Sequence, residues 1–167
     1  MKKILAVTLA LALLSPVSSF AKSTNLMFPS EKPVASISIP SEWEPEETES
    51  GIQATSEDGA VYIAIDVATS RTSDRVIDEA IAFLDKNGVT IDASTQKKTD
   101  DKINGMDTTI FSWEGKDDDG PVNIGLAVLS PKPDKLLLIT YWGTKGEQEK
   151  HGAELDGILN SLHPAGN

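Results

Sequence analysis

The sequence predicts an α+β fold in which a central antiparallel sheet of about six to seven strands is flanked by two main helices. Three observations lead to this prediction. Strand-like segments precede one amphipathic helical segment, a series of strands with short turns follows it, and a second amphipathic segment comes last. Strands and helices that come in separate runs favour an antiparallel sheet covered by helices over a parallel α/β sheet.

The first residues have the pattern of a secretory signal peptide. Two lysines precede an apolar run from Ile4 to Leu14, and Ala21 ends a stretch of small residues suited to cleavage. The apolar run has about 11 residues, whereas a bilayer core requires about 20. We therefore expect residues 1–21 to be a cleaved signal peptide and the mature protein to be periplasmic or secreted.

The remainder is expected to form one domain. Residues 22–33 are polar and contain proline, which predicts a flexible leader. Residues 34–164 are expected to form the single folded domain, because their length suits one ordinary hydrophobic core.

Strands are predicted on either side of an acidic segment. A weakly alternating strand from Val34 stops at Pro40, and Trp43 follows in the exit loop. The segment Glu44–Ser50 carries four glutamates and is expected to be a solvated loop. Ile52–Thr55 and Ala60–Ala68 then form a hairpin around an Asp-Gly turn, since the second run alternates apolar and polar residues.

The first main helix is predicted over residues 73–87. Ser73 or Thr72 is a candidate N-cap, and Asn87-Gly88 supplies a left-handed stop. The predicted apolar face, with i, i+3, i+4, i+7 spacing, consists of Ile77, Ala80, Ile81 and Leu84.

Four further strands predict an antiparallel meander because Gly, Pro, Asn and Asp mark the turns between them. The predicted strands are Ile91–Lys98, Met106–Glu114, Val122–Ser130 and Leu136–Trp142.

The second main helix is predicted over residues 145–162. Thr144 and Glu147 fit a capping box, and Pro164 ends the segment. The predicted apolar face consists of Leu155, Ile158, Leu159 and Leu162.

The charge balance limits the class of partner. The chain has 26 acidic and 15 basic side chains and a net charge of −11; without the two signal-peptide lysines, 13 basic ones remain (15 less 2) and the charge is −13. Such a surface repels phosphate backbones and anionic membranes, so nucleic acid is not an expected partner. The acidity either attracts a basic partner or serves only solubility.

Few residues are suited to catalysis or to cofactor binding. Because there is no cysteine, disulfides, thiol chemistry and thiolate metal sites are absent. Of the two histidines, His151 is expected to have a packing or capping role, and His163 lies beside Pro164. No phosphate-binding glycine motif occurs, and the sequence predicts no cofactor and no catalytic residue.

Acidic loops and one tryptophan are the candidate partner contacts. Tryptophan is common in binding surfaces, although a core position for Trp43 is the alternative. The consecutive aspartates lack the spacing of an EF-hand loop, so an acidic hairpin turn is the alternative to calcium binding there. The candidate contact residues are Trp43, Glu44, Glu46, Glu47, Glu49, Asp117, Asp118 and Asp119.

Four short segments resemble the PsbP/Mog-like α/β/α sandwich superfamily. They are Ser38–Trp43, Ile103–Gly105, Leu138–Tyr141 and Ile158–Pro164, and the resemblance extends over about residues 34–164. It implies a central antiparallel sheet with helices on both sides, in a family whose members mostly bind other proteins. No functional residue of that family matches a position here.

The sequence thus favours an exported, non-catalytic binding or accessory module of the cell envelope whose partner is another envelope or secreted protein. Two alternatives stay open. One is a periplasmic hydrolase that uses Asp or Glu, which requires a carboxyl of raised pKa in a concave site. The other is a protein that binds calcium or another small ligand.

Overall fold

Ten strands and two α-helices make up residues 22–166, the part of the chain that the computed structural model describes. Two short 3₁₀ helices, Ser41–Trp43 and Gln148–His151, lie between them. The elements in chain order are β1 (Ser23–Phe28), β2 (Ala35–Pro40), β3 (Glu46–Glu47), β4 (Gly51–Thr55), β5 (Val61–Ala68), α1 (Ser73–Lys86), β6 (Thr90–Ile103), β7 (Met106–Asp117), β8 (Gly120–Lys132), β9 (Lys135–Thr144), α2 (Gly152–Ser161) and β10 (His163–Pro164).

The main sheet has seven antiparallel strands in the order β3-β4-β5-β9-β8-β7-β6. The meander that the turn residues predict consists of β6–β9, the last four strands of this sheet in sequence. β5 joins the hairpin to this meander by pairing with β9, so that Ile63 lies opposite Tyr141. β1, β2 and β10 form a separate three-stranded sheet.

Period-two patterning decides which residues of the main sheet face each layer. Along β5, Val61, Ile63 and Ile65 are buried on one face, whereas Tyr62 and Asp66 point to the other and are half-buried. The α+β class, the seven-stranded sheet and the two helices agree with the sequence prediction.

Each face of the main sheet is covered by a different layer. On one face, Val76 and Ala80 of α1 pack against Leu126 and Leu138 of the sheet.

On the other face, Ile158 of α2 and the adjoining Leu162 pack with Ile37 of β2 and Ile65 of β5. Burying one such side chain contributes about 1.5–3 kcal/mol to stability. Within residues 22–166, neither helix has the length and apolar character needed to cross a membrane.

The structure corrects the prediction of a flexible leader. Residues 22–33 contain β1, which pairs with β2 from Ser23 opposite Pro40 to Phe28 opposite Ala35. Phe28 is buried in the core. The pattern was missed because only two apolar side chains of β1, those of Leu26 and Phe28, turn inward. The signal-peptide prediction concerns residues 1–21, which lie outside the described part of the chain.

The predicted apolar face of α1 is partly wrong. Ala80 and Leu84 are buried as expected, but Val76 is the third buried residue and Ile81 is 47% exposed. Apolar residues occupy more than one face of this helix, so the periodicity fits two orientations about 50° apart. Packing against the sheet selects the orientation that buries Val76. The predicted left-handed stop is confirmed, since Gly88 has a φ of +79°.

The second helix begins later than predicted. Thr144 belongs to β9, and its backbone N–H donates to the Ala60 carbonyl, so it does not cap a helix. A turn at Gly146 and a 3₁₀ helix follow before α2 starts at Gly152. The predicted face is confirmed, because Ile158 and Leu162 are fully buried and the other two leucines pack against the same core.

Candidate functional site

The acidic segment 44–50 lies along one edge of the main sheet. Glu46 and Glu47 form the short edge strand β3, paired with Gln53 and Ile52 of β4. The solvated loop that was predicted is therefore partly a strand. Glu44, Glu46, Glu47 and Glu49 are all exposed, as a partner contact requires. The Glu47 carboxylate accepts a hydrogen bond of 2.7 Å from the Ser30 N–H and so anchors the β1–β2 loop.

An acidic cleft opens beside this edge. Its volume is about 420 Å³, and its lining includes Trp43, Gln53 and Tyr62. Neither lysine nor arginine is among the lining residues. Four exposed carboxylates surround it: Glu42, Glu44, Glu46 and Glu57.

A second cleft of about 220 Å³ lies between α1 and the main sheet, next to the first. Asp66 and Glu79 line it, again without lysine or arginine. The Ser50 hydroxyl donates to Asp66 Oδ1 at 2.5 Å. Burial raises the pKa of the Asp66 carboxyl; the Ser50 hydrogen bond lowers that pKa, and the negative charge of Glu79 raises it. Glu79 itself forms an ion pair with Arg75 at 2.5 Å.

Thr140, which is among the residues that line the second cleft, has an unpaired hydroxyl. The residue is 2% exposed and lies on β9, opposite Ala64 of β5. Its Oγ1 has no hydrogen-bond partner among residues 22–166. Buried hydroxyl groups are normally paired, so this atom is an exception.

Tyr62 and Gln53 line both clefts and join them into one surface. The Tyr62 hydroxyl donates to Gln53 Oε1 at 3.1 Å, and its ring stacks on Trp142 with centroids 4.2 Å apart. Burial, with a contribution from the charge of Asp66, raises the pKa of Tyr62 to about 12. We call this surface the acidic face. Its carboxylates are those of Glu42, Glu44, Glu46, Glu57, Asp66 and Glu79.

Trp43 is not a surface residue, which corrects its selection as a partner contact. It is 1% exposed in the main core. Its indole N–H donates to Glu154 Oε2 at 3.2 Å, and its ring meets that of His151 edge to face, 5.6 Å between centroids. An aromatic residue in a loop after a strand fits either a core or an interface, so its sequence position alone did not decide between them.

The second predicted acidic element lies apart from the acidic edge strand β3. Asp117, Asp118 and Asp119 form the β7–β8 turn, where Asp117 Oδ1 accepts from the backbone N–H groups of Asp119 and Gly120. β8 is four strands away from β3, or about 19 Å at the usual strand spacing. The two predicted elements therefore do not form one site. Across residues 22–166, no three His, Asp or Glu side chains are grouped so as to hold a metal ion.

His151 connects two carboxylates instead of activating a nucleophile. Its Nδ1 lies 2.6 Å from Glu154 Oε2, and its Nε2 lies 3.0 Å from Asp58 Oδ1. The nearby Ser56 hydroxyl donates to Asp58. A serine triad places a hydroxyl on one imidazole nitrogen and a carboxylate on the other, so this arrangement does not match one. The sequence marks Asp58 only as part of the Asp-Gly turn and does not mark Asp66, because no local pattern relates either carboxylate to a site.

Comparisons with solved structures give the fold. Cyanobacterial PsbP (CyanoP) from Synechocystis matches with a TM-score of 0.57 at 9% identity, over 90% of this chain and 97% of its own. LpqN, involved in cell envelope biogenesis of Mycobacterium tuberculosis, matches with a TM-score of 0.54 at 10% identity, over 87% and 91%. The Ran-binding protein Mog1p of Saccharomyces cerevisiae has a TM-score of 0.49 at 11% identity, over 86% and 95%.

Sequence comparisons add no closer relative. No protein-family model matches the chain, and no curated protein matches it significantly in sequence. The structural matches to PsbP and LpqN and the layered architecture together show that this chain has the PsbP-like fold.

Proposed function

We propose that this protein is an exported, non-catalytic binding module of the cell envelope that contacts a partner protein through the acidic face. The observation that carries the proposal is the pair of adjoining clefts, which six carboxylates surround and no lysine or arginine lines. The export part rests on the signal-peptide pattern of residues 1–21. LpqN, which has the same fold, is described as involved in cell envelope biogenesis, and that role is compatible with an envelope location here.

Electrostatics favours a partner with a basic surface. A uniformly negative surface accelerates association with a positive one and repels acidic proteins, and this effect weakens as salt rises. The net charge of −11 sets the sign of the long-range field. The acidic face concentrates that charge at concave sites, where a partner side chain becomes partly desolvated and its ion pairs gain strength.

Affinity capture tests the proposal. The mature protein is used to purify partners from crosslinked cell envelopes, with mass spectrometry of whatever co-elutes at near-stoichiometric yield. We expect one partner, lost from the Glu46→Lys/Glu57→Lys variant because both exposed residues border the first cleft. The matched control is Asp118→Lys/Asp119→Lys, which changes the net charge equally at the distant β7–β8 turn and should retain the partner.

Comparison of the two variants also shows which results would contradict the proposal. Loss of the partner from the turn variant alone would place the interface at the β7–β8 turn. Equal loss from both variants would show that net charge, and not the acidic face, governs binding. Absence of a stoichiometric partner at every salt concentration would exclude the binding module.

Asp66 supports a second candidate function, a hydrolase that uses a carboxyl group. Burial in a cleft raises the pKa of Asp66, as a general acid requires. The binding module is favoured because Glu79, the other carboxylate of that cleft, is paired with Arg75. Turnover of chromogenic glycosides or esters by the wild type, abolished in Asp66→Asn, would establish the hydrolase instead.

A further inference from the structure

Thr140 is one of the residues that line the cleft between α1 and the main sheet, and the fold has no evident use for its buried hydroxyl. Thr140 is 2% exposed, and its Oγ1 has no partner in the described part of the chain. A buried hydroxyl without a partner lowers stability, whereas valine would fill nearly the same volume without that cost. The other buried sheet threonine, Thr108, donates its hydroxyl to the Met106 carbonyl at 3.0 Å. The unpaired Thr140 hydroxyl therefore points to a group that enters from outside.

The carboxylates that line the same cleft indicate that the entering group is positively charged. Asp66 accepts one side-chain hydrogen bond, from Ser50, and no lysine or arginine lines the cleft. Burial raises the pKa of its carboxyl, so its charged form lacks sufficient stabilisation in the free protein. A cation placed beside Asp66 would supply it.

The walls of the cleft suit an apolar stem. Ala64, Val76 and Ala80 line it, together with the rings of Tyr62 and Phe83, whose centroids are 5.4 Å apart. Aromatic faces attract cations as well as alkyl groups. The volume of about 220 Å³ is below the roughly 300–1,000 Å³ of pockets for whole small molecules, so the cleft suits one long side chain.

We propose that this cleft receives a lysine or arginine side chain of the partner, whose cationic head binds the Asp66 carboxylate and the Thr140 hydroxyl while its alkyl stem lies against the aromatic wall. This inference rests on the proposed function and specifies the chemistry of the partner residue. Lysine and arginine both bury their alkyl stems while keeping a charged head, which matches an apolar wall with a polar end.

Titration of the mature protein with small amides tests the inference. The probes are the Nα-acetyl amides of lysine and of arginine, with norleucine as the uncharged control, followed by the backbone NMR shifts of Asp66, Val76 and Thr140. Either cationic probe should cause saturable shifts and norleucine none; the stronger of the two identifies the head group. Asp66→Asn and Thr140→Val should each weaken binding roughly five- to tenfold, the effect of losing one hydrogen bond.

Melting temperatures distinguish a role of the Thr140 hydroxyl in probe binding from a role in stability. Thr140→Val should leave Tm unchanged or raise it, because the removed hydroxyl has no partner in the free protein. The matched control Thr108→Val should lower Tm and leave probe binding unchanged. Binding of norleucine as strong as that of the cations, or wild-type affinity in Thr140→Val, would overturn the inference.

The outcomes also separate this inference from the proposed function. If the cationic probes fail to bind but the envelope partner is still captured and lost from Glu46→Lys/Glu57→Lys, the cleft inference is wrong and the binding module stands. If the cationic probes bind and no envelope partner is captured, the cleft accepts free amines and the binding module is wrong.

Discussion

Asp58 and His151 lie 93 positions apart in sequence, and the Asp58 carboxylate oxygens are 3.0 and 3.1 Å from His151 Nε2. Asp58 belongs to the β4–β5 turn, and His151 directly precedes α2. Glu154 approaches the other imidazole nitrogen at 2.6 Å. Both nitrogens donate only when the ring is protonated, so the charged imidazole fastens the hairpin to the helix.

The pKa values around His151 predict a pH dependence of stability. The hydrogen bond that the imidazole donates to Glu154, with smaller contributions from Asp58, raises the pKa of His151 above its usual value of 6.5. A pKa raised by folding gives stability that is fully present below the unfolded value and is lost as pH rises through the folded value. His151→Gln should therefore lower Tm by about 2–4 °C at about pH 5.5, and the difference should shrink above neutral pH.

The control for this prediction is His163→Gln, at an exposed residue that forms no ion pair within residues 22–166, and it should leave Tm unchanged. The measurement is thermal unfolding of the wild type, His151→Gln and His163→Gln from about pH 5.5 to above neutral pH. A His151→Gln deficit that grows with pH would show that the neutral imidazole is the stabilising form, contrary to the structure.

Local patterns predicted much of this fold, and distant contacts explain what they missed. The β4–β5 hairpin and the Gly88 stop depend on neighbouring residues, so they could be read from the sequence. The start of α2 could not, because Thr144 satisfies its backbone N–H on Ala60, far along the chain. The candidate site depends on such contacts throughout: Asp66 and Thr140 line one cleft only because β5 pairs with β9.

Asn104 is a second residue with a distant contact that the local sequence does not predict, and this contact gives a testable prediction. Asn104-Gly105 is one of the turns that the sequence predicts between the meander strands, and Asn104 has the φ of +50° expected there. Its side-chain amide also lies 2.9, 3.2 and 2.6 Å from the carbonyl oxygens of Leu159, Asn160 and Leu162, and so caps the end of α2.

Asn104→Gly retains the left-handed turn and removes the cap, so it should cost about 0.5–1.5 kcal/mol. Asn104→Asp should cost more, since a carboxylate cannot donate and would face carbonyl oxygens at the negative helix end. Urea unfolding measures both values. Equal stability of the wild type and Asn104→Gly would show that the amide contacts do not stabilise the protein.

Gly51 is expected to tolerate no side chain. A Cβ atom there would lie 1.8 Å from the backbone oxygen of Ile65, so β4 would have to separate from β5. Gly51→Ala should cost at least about 3 kcal/mol, the upper end of the usual cost of overpacking, and lower Tm by roughly 6–12 °C. Gly157→Ala is the control: its Cβ meets open space within α2 and should add about 0.5–1 kcal/mol. A stable Gly51→Ala variant would contradict the β4–β5 spacing.

Trp43 should act through stability and not through partner binding. Trp43→Ala should cost about 3–5 kcal/mol, as for other large buried aromatic residues. Trp43→Phe retains most of the packing and loses the hydrogen bond to Glu154, so the expected cost is about 1.5–3 kcal/mol. Trp113 and Trp142 are part-exposed; the blue-shifted part of the fluorescence should therefore disappear in Trp43→Phe. Loss of the captured partner from a folded Trp43→Phe protein would contradict the buried position.

Asp66 should destabilise the free protein at neutral pH. Burial raises the pKa of its carboxyl above 3.8, so the folded state binds the proton more tightly than the unfolded state, and stability falls as pH rises through the folded pKa. Asp66→Asn should therefore raise Tm at pH 7, with no gain at or below about pH 3.8, because an asparagine oxygen still accepts the Ser50 hydrogen bond. Ser50→Ala should shift Tm in the opposite direction at pH 7, since it removes the contact that favours the ionised carboxyl.

Thermal unfolding at pH 7 and at about pH 3.8 measures these shifts. A lower Tm of Asp66→Asn than of the wild type at neutral pH would mean that the free protein already stabilises the Asp66 carboxylate. In that case the carboxylate would have no reason to attract a cation.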